Sequence, residues 1–271
     1  MSQAATAPMP AIYIPHGGGP CFFMDWTPRD TWASMGDFLR GLIRGLAVRP
    51  RAILMVSAHW MTDDFAVTGA AAPELIYDYY GFPPHTYQLR YPAPGDPALA
   101  GRVVDLLGAA GLAAHVDPAR GFDHGMFIPL LLAAPDADLP VVQLSIRNDL
   151  DPASHLAAGA ALAALRDEGV LILGSGMSFH NMRGYGDPRF GPVSDSFDAW
   201  LTGAVEAAPA TRHTALTEWA DAPAARLCHP PRAEEHLIPL MVAAGAAPEG
   251  RGRKIFSDRV METTVSAFRF D

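Results

Sequence analysis

The chain has 271 residues, of which 49% are hydrophobic and 18% charged, and this composition is typical of a globular protein with a buried core. A formal net charge of −9 without any Lys/Arg-rich run argues against nucleic acid and anionic membranes as main partners, because both require a basic surface. The sequence shows neither the pattern of a signal peptide nor an apolar run near the roughly 18 residues that suggest a membrane span.

The chain contains two cysteines, Cys21 and Cys228. Two are too few for a disulfide framework or a CxxC zinc site, so we expect a cytoplasmic protein. The sequence leaves open whether these two thiols pair.

Apolar runs that predict strands alternate along the chain with periodic patterns that predict helices. In chain order these are strand 11–14, helix 34–47, strands 52–58 and 65–69, helices 97–110 and 126–134, strand 140–145, helix 153–168, strand 170–176, and helices 195–207 and 232–244. This alternation favours one α/β domain over 1–271, with a central mixed, largely parallel sheet flanked by helices. Residues 1–10 are expected to form a flexible N-terminus.

Three histidines follow predicted buried strands. His16 comes after "AIYIP", His59 after "AILMVSA" and His180 after "VLILGSGMSF". Parallel strands send their carboxyl ends to one edge of a sheet, where ligand sites are built, so we expect these rings to converge there. Neutral imidazole is the commonest protein metal ligand. A single histidine near a strand end is more often a hydrogen-bonded structural residue, and three together favour a site.

Two further histidines join this set. His124 lies in "FDHGMF", in a loop or at the start of a helix. In "CHPPRAEEHLIPL" the two prolines are expected to open a helix that carries Glu235 and His236 in its first turns. A histidine is disfavoured there by the helix dipole, and a bound metal would compensate. A buried ring bonded to a carbonyl is the alternative.

The segment "GGG", Gly17 to Gly19, lets the backbone turn sharply and approach a ligand beside His16. It is not a dinucleotide motif, because no GxGxxG opens a helix there. The loop 70–96 is rich in Pro and Tyr and is expected to be ordered over a cleft. The side chains that could shape a pocket there are Tyr77, Tyr79, Tyr80, Phe82, His85 and Arg90, with packing inside the loop as the alternative.

The other histidines carry weaker signals. His229, before the two prolines, is a further candidate for lining a pocket, and we assign no role to the remaining three. Those are His115 and His155, expected on strand and helix surfaces, and His213 in a polar stretch.

Three or four nitrogen ligands without thiolates suit Zn(II), Fe(II), Mn(II) or Cu(II), and residue types alone do not choose among them. An open site of this kind could activate water for hydrolysis, or bind substrate oxygens beside O2.

The ordered motifs resemble the class III extradiol ring-cleavage dioxygenases, and most of all their 4,5-DOPA dioxygenase branch, over residues 11 to 260. The motifs are "PHGGGP", "VSAHW", "GFDHGMFIPL", "PVVQLSI", "GSGMSFHN" and "AEEHLIPL". The resemblance implies a single α/β domain with a non-haem metal in a cleft at its strand ends.

The resemblance also implies roles for the five histidines. His16, His59 and His236 would be metal ligands, and His180 would be the acid/base residue or a fourth ligand. His124 would hydrogen-bond the substrate. Many class III relatives have a glutamate as the third ligand, which makes Glu235 the alternative. We prefer His236, because neighbours on a helix point about 100° apart and only one of them would face the ion.

The function implied is cleavage of a catechol-type aromatic with O2, with Fe(II) needed for activity and Zn(II) plausible in the purified protein. His180, with an ordinary histidine pKa near the working pH, would take and return a proton. The alternatives are a zinc-dependent hydrolase on the same scaffold and a non-enzymatic binding protein that retains the fold. The small aromatic diol and O2 are the expected partners, and we expect a monomer or homodimer.

Overall fold

The sheet is built from apolar, β-branched runs, and its central strands are buried on both faces. The computed structural model describes residues 8–271, so residues 1–7 of the expected flexible N-terminus lie outside the described residues. Within them the strands are β1 (Ala11–Pro15), β2 (Ala52–Thr62), β3 (Phe65–Thr68), β4 (Ala114–Asp117), β5 (Val141–Arg147), β6 (Val170–Gly176), β7 (Gly252–Val260) and β8 (Thr263–Phe270).

These strands form one sheet in the order β4-β3-β5-β2-β6-β1-β8-β7. The pairs β5–β2, β2–β6, β6–β1 and β3–β4 are parallel. The pairs β3–β5, β1–β8 and β8–β7 are antiparallel. The predicted α/β domain with a mixed, largely parallel sheet is therefore confirmed, and the carboxyl ends of β1, β2 and β6 lie side by side.

Helices cover both faces of the sheet. Their bounds are α1 (Ala33–Leu42), α2 (Pro97–Ala109), α3 (His124–Ala133), α4 (Pro152–Leu162), α5 (Ala164–Asp167), α6 (Phe190–Glu206), α7 (Pro209–Thr217), α8 (Ala225–Cys228) and α9 (Ile238–Gly245). Asp96 and Asp151 directly precede α2 and α4 as their N-cap residues. Each carboxylate accepts a hydrogen bond from a backbone N–H of the first turn. None of the helices within residues 8–271 has both the length and the apolar character needed to cross a bilayer.

The predicted helix 232–244 was wrong in its first half. The chain turns through 231–237 and α9 begins at Ile238. Pro239 lies in the first turn of α9, the position that a helix accommodates best, whereas in a helix that began at 232 it would lie in the interior and cost a hydrogen bond. His236 therefore precedes the helix, and the dipole argument for a metal at this residue does not apply.

Glycines bring the start of α9 against the sheet. A Cβ on Gly176, at the end of β6, would lie 2.0 Å from the carbonyl oxygen of His236, and one on Gly174 would lie 2.3 Å from that of Pro239. Only glycine permits this approach. The contact between β6 and the residues before α9 therefore determines where His236 lies relative to the ends of the strands. Tyr13 of β1 donates its hydroxyl to the same His236 carbonyl at 2.6 Å.

Candidate functional site

Three of the predicted ligands meet at the carboxyl ends of β1 and β2. His16 directly follows β1, and its Nε2 lies 3.1 Å from Nε2 of His59. The ring of His236 lies 5.1 Å from that of His16 and 4.9 Å from that of His59, between centroids. One ligand atom from each of the three lies within 4.8 Å of the others.

His59 lies within β2 rather than after it, since the strand continues to Thr62. The register of β2 against β5 shifts between Val56 and Met61. Such an irregularity changes the direction of a side chain without ending the strand. It is here that His59 leaves the regular pleat and faces His16.

The proton of His16 can be placed from its partners. Its Nδ1 lies 3.0 Å from the Ser175 hydroxyl, which in turn lies 2.5 Å from the Gly125 carbonyl oxygen. A carbonyl only accepts, so Ser175 donates to Gly125 and accepts from the Nδ1–H of His16. Nε2 of His16 is therefore unprotonated and presents its lone pair to the site.

His236 is oriented by its neighbour. Its Nδ1 lies 2.9 Å from Oε1 of Glu235, which leaves Nε2 as the outward-facing nitrogen. The same carboxylate oxygen lies 3.5 Å from Nδ1 of His180, whose ring stacks on that of His236 with centroids 3.4 Å apart. No helix runs through 235–236, so the helical spacing on which the preference for His236 rested does not apply. Glu235 lies behind His236 and holds it.

A carboxylate that the sequence analysis missed supports the other side of the site. Asp78, in the aromatic loop, accepts from both the backbone N–H and Nδ1–H of His124 through Oδ1, at 2.9 and 2.8 Å. Its Oδ2 lies 3.7 Å from Nδ1 of His59. Burial raises the pKa of Asp78, but the hydrogen bonds and charge of His124 outweigh burial and lower it. Asp78 is therefore an anion that favours Nδ1–H on both rings.

The donor set fits a divalent metal. Burial, followed by the neighbouring histidines, lowers the pKa values of His16, His59 and His236 well below the ordinary value, so the three rings are neutral. The unprotonated Nε2 of His16 faces Nε2 of His59, and a cation between them would bind both nitrogens. Two nitrogens about 2.1 Å from a common ion are roughly 3.0–3.4 Å apart at bond angles of 90–109°. The observed 3.1 Å between His16 and His59 agrees with that spacing.

We expect Glu235→Gln to weaken the binding of Zn(II) by about 10- to 100-fold, because carboxylates that hold a metal-binding histidine raise its basicity and fix its tautomer. Calorimetric titration of the metal-free protein measures this change. Glu234→Gln is the matched control on the adjacent residue, which forms an ion pair with Arg226 instead. Equal affinity in the wild type and Glu235→Gln would contradict the assigned role.

A cavity of about 310 Å³ opens over the histidines. Its walls comprise five histidines, three glycines and six apolar or aromatic side chains. They are His16, His59, His124, His180 and His236, then Gly17, Gly18 and Gly19, then Trp26, Trp32, Phe82, Met182, Tyr185 and Met261. The predicted "GGG" turn thus forms part of the wall, with Gly17 and Gly19 at positive φ.

Of the aromatic loop residues, Phe82 lines the cavity. Tyr77 and Tyr79 donate their hydroxyls to carbonyls of their own loop, and His85 contacts the Phe23 carbonyl oxygen. Tyr80 is 88% exposed, and Arg90 is also at the surface. Tyr77 and Tyr79 are thus packed within the loop, as the alternative expected. His85 packs against a neighbouring segment, and the side chains of Tyr80 and Arg90 are exposed.

Two histidines outside the site are buried. His155 was expected on a surface, yet its Nδ1 donates to the Asp151 carbonyl and its Nε2 accepts from the Arg147 N–H. His229 was a candidate for lining the pocket, but it packs between Phe197 and Trp219, away from the cavity. His115 and His213 are exposed.

We expect buried His229 to make stability depend on pH. Burial lowers its pKa to about 3, and within residues 8–271 its Nδ1 has no hydrogen-bond partner. The unfolded chain therefore binds a proton that the folded chain rejects, and stability falls as pH drops below about 6.5, by about 1.4 kcal/mol per pH unit. His229→Gln should reduce the loss between pH 6.5 and 5 by about 2 kcal/mol in urea unfolding.

The matched control is His115→Gln on exposed β4, which should leave the pH dependence of unfolding as in the wild type. An unaltered pH dependence in His229→Gln would show that this ring is not the source.

Cys21 and Cys228 are both free and buried. The sequence left their pairing open, and the structure shows two thiols. Burial is the largest influence on both and raises their pKa values, which makes the reactive thiolate form rare.

Known proteins are similar to this chain in sequence and in fold. Residues 10–268 match the family described as the catalytic LigB subunit of aromatic ring-opening dioxygenase. Dioxygenase tasH of Hapsidospora irregularis is 40% identical over 276 residues, covering 96% of this chain and 84% of the relative. The 4,5-DOPA dioxygenase extradiol of Beta vulgaris is 44% identical over 213 residues, covering 74% and 75%. The crystal structure of the uncharacterized protein JW3007 from Escherichia coli K12 is similar, with a TM-score of 0.76 at 31% identity, covering 97% of this chain and 100% of that one.

Proposed function

The chain belongs to the LigB family of aromatic ring-opening dioxygenases, and from this premise we propose that it cleaves a catechol-type aromatic with O2 at a single divalent metal ion. The extradiol dioxygenase activity follows from the family. The catechol, the metal and the role of each histidine are our proposal. The observation that supports it most is the meeting of three neutral imidazoles, two of them with Nε2 atoms 3.1 Å apart.

We assign His16, His59 and His236 as the ligands and Fe(II) as the ion needed for activity, with Zn(II) as the ion expected after aerobic purification. The affinity of nitrogen sites generally favours zinc over ferrous iron, so zinc in a purified sample would not identify the active metal. Fe(II) would hold the substrate oxygens beside O2 and pass electrons from the catechol, which is the reductant, to O2.

His180 is suited to proton transfer. It lies in the cavity wall, and burial lowers its pKa to about 4 rather than leaving it near the working pH. The ring is therefore neutral at pH 7 and can accept a proton from a catechol hydroxyl. The same ring, once protonated, can return the proton to the reacting oxygen. His180 also forms a possible metal-holding group with Glu235 and His236, but the group of His16, His59 and His236 is complete without it, and we assign His180 to acid/base work.

His124 is suited to holding the substrate. In the neutral form of the ring, whose Nδ1–H donates to Asp78, Nε2 is an acceptor, and the residue lines the cavity. It can accept a hydrogen bond from a substrate hydroxyl and so orient the ring toward His180. Trp26 and Trp32 also line the cavity, and their apolar rings would limit access of water to the bound substrate.

The zinc hydrolase and the non-enzymatic binding protein that the sequence left open gain no support. The family match concerns ring-opening dioxygenases, and each buried ring of the site has a defined partner. A cytoplasmic location and a monomeric or homodimeric state stay predictions from the sequence.

The proposal is tested by reconstituting the metal-free protein with Fe(II) under anaerobic conditions and then adding O2 and a catechol. We expect O2 uptake in a one-to-one ratio with the catechol and a yellow ring-fission product. The Zn(II)-loaded protein is the control and should take up no O2. Absence of O2 uptake with every catechol tested would overturn the proposal.

A further inference from the structure

The cavity wall opposite the histidines carries no charge. Apart from the five histidines, the side chains that line it within residues 8–271 are apolar or aromatic, and none belongs to Asp, Glu, Lys or Arg. The one hydroxyl among them, that of Tyr185, is already donated to the Phe179 carbonyl oxygen at 2.7 Å. Of the two indole N–H groups, that of Trp26 is donated to the Cys21 carbonyl oxygen and that of Trp32 is buried without a partner among the described residues. A substrate substituent that leaves the diol end therefore meets a wall made mostly of carbon and sulfur.

A carboxylate placed in such a wall would be desolvated without a partner. Burying an ionised carboxylate weakens binding by about a hundredfold or more unless a cation or several donors replace its water. An alkyl group in the same place strengthens binding by about fourfold for each buried CH2. The same wall therefore lowers the affinity for a substrate with a carboxylate substituent and raises the affinity for one with an alkyl substituent.

The neighbouring groove offers no replacement cation. It adjoins the cavity at Trp26 and Met261, and its charged side chains are Asp30, Asp258, Arg259 and Glu262. Arg259 is engaged by both carboxylate oxygens of Asp195 at 2.7 Å and by the Glu262 carbonyl oxygen. The approach to the cavity is therefore acidic, and it disfavours an anionic substituent further.

Two methionines form the outer part of this wall. Met182 is 72% exposed and Met261 is 36% exposed, so both lie at the mouth. Met261 and Glu262 make the two-residue turn between β7 and β8, with φ of 47° and 69°. Both values are in the left-handed region, where such turns usually carry Asn or Gly. Methionine is strained there, and strain retained beside a site suggests a role for the side chain.

We infer that the site selects catechols whose ring substituent is uncharged and apolar, and that Met182 and Met261 form the surface that receives this substituent. The inference rests on the proposed function for the position of the diol. It predicts that the site binds 4-alkylcatechols in preference to DOPA and to 3,4-dihydroxybenzoate.

The test measures binding and turnover separately. Anaerobic binding to the metal-loaded protein is followed by quenching of tryptophan fluorescence, because Trp26 and Trp32 line the cavity. The probes are 4-methylcatechol, 4-ethylcatechol, DOPA and 3,4-dihydroxybenzoate. We expect the alkylcatechols to bind at least tenfold more tightly than either probe that carries a carboxylate, and kcat/KM with Fe(II) to follow the same order. Equal or tighter binding of DOPA or 3,4-dihydroxybenzoate would overturn the inference.

Failure of the inference and failure of the proposed function give different results. Tight binding of alkylcatechols without O2 uptake would contradict the dioxygenase proposal and support the selectivity. Ring cleavage of DOPA in preference to 4-ethylcatechol would support the proposed function and contradict the selectivity.

Two variants assign the wall. Met182→Arg should shift the ratio of the affinities for 4-ethylcatechol and 3,4-dihydroxybenzoate by at least fivefold toward 3,4-dihydroxybenzoate. Val48→Arg, an equivalent change at a 47% exposed residue outside the cavity, should leave this ratio unchanged.

Met261→Asn should raise Tm by about 2–4 °C as the turn loses strain, and should weaken 4-ethylcatechol binding at least threefold. An unchanged ratio in Met182→Arg, or unchanged alkylcatechol binding in Met261→Asn, would refute the assignment of that residue.

Discussion

Replacing His16 with alanine is expected to weaken binding of a divalent ion by more than about 100-fold, since loss of a group that merely supports a ligand already costs about 10- to 100-fold. The Nε2 of His16 is the nitrogen whose protonation state the structure fixes most clearly, through Ser175 and Gly125. Its removal leaves two of the three proposed nitrogens. Activity with Fe(II) should fall below detection for the same reason.

The measurement is calorimetric titration of metal-free protein with Zn(II), together with the Fe(II) content after anaerobic reconstitution. His115→Ala on exposed β4 is the matched control and should bind one ion as the wild type does. Because His16 is buried, circular dichroism and Tm of the metal-free variant establish that it folds. A folded His16→Ala protein that binds the ion with wild-type affinity would refute the proposed ligand set.

His180→Gln is expected to lower kcat by about 10²- to 10⁴-fold, the usual contribution of a positioned acid/base residue. It should retain one metal ion, because His16, His59 and His236 make a three-ligand group without it. Glutamine keeps a polar side chain of similar reach but accepts no proton at neutral pH.

This variant also separates the two roles that the sequence left open for His180. Steady-state kcat and metal content are measured on the same preparation, with His213→Gln on exposed α7 as the control. Loss of the metal together with activity would identify His180 as a ligand. Full activity in His180→Gln would exclude it from proton transfer.

The convergence of His16, His59 and His180 could be predicted because it depends on strand direction. His16, His59 and His180 each follow a long apolar run, and the carboxyl ends of neighbouring parallel strands must share an edge. No knowledge of side-chain packing was needed. The same reasoning identified the "GGG" turn beside His16 as a close approach to the site.

His236 was expected at the site for a reason that does not hold. The expected helix dipole is absent at this residue, because α9 begins only at Ile238. The position of His236 depends instead on Gly176, whose missing side chain admits its carbonyl. That contact joins β6 to the residues before α9 and has no signature in the sequence of either segment.

The supporting groups could not be predicted, because the contacts are distant in the chain. Ser175 lies 159 residues from His16, and Asp78 lies 46 residues from His124. A serine in a strand and an aspartate in a loop are both common, and only the fold shows which ring each one touches. Glu235 was noticed as a possible ligand, and only its geometry shows that it holds His236.

The outer strands and the cavity wall were missed for related reasons. Strand β7 is rich in charged residues and partly exposed, so it lacks the apolar run that reveals a buried strand. The hairpin of β7 and β8 carries Met261 to the cavity without an Asn-Gly turn signal. A methionine at such a turn reads as an ordinary surface residue until the fold places it beside the site.

The most direct measurement is an anomalous-difference map from crystals of the metal-loaded protein, collected at the absorption edge of the ion supplied. We predict one peak within about 2.0–2.2 Å of Nε2 of each of His16, His59 and His236. A principal peak at the group of His59, Asp78 and His124, or at any position that His16 does not touch, would contradict the account.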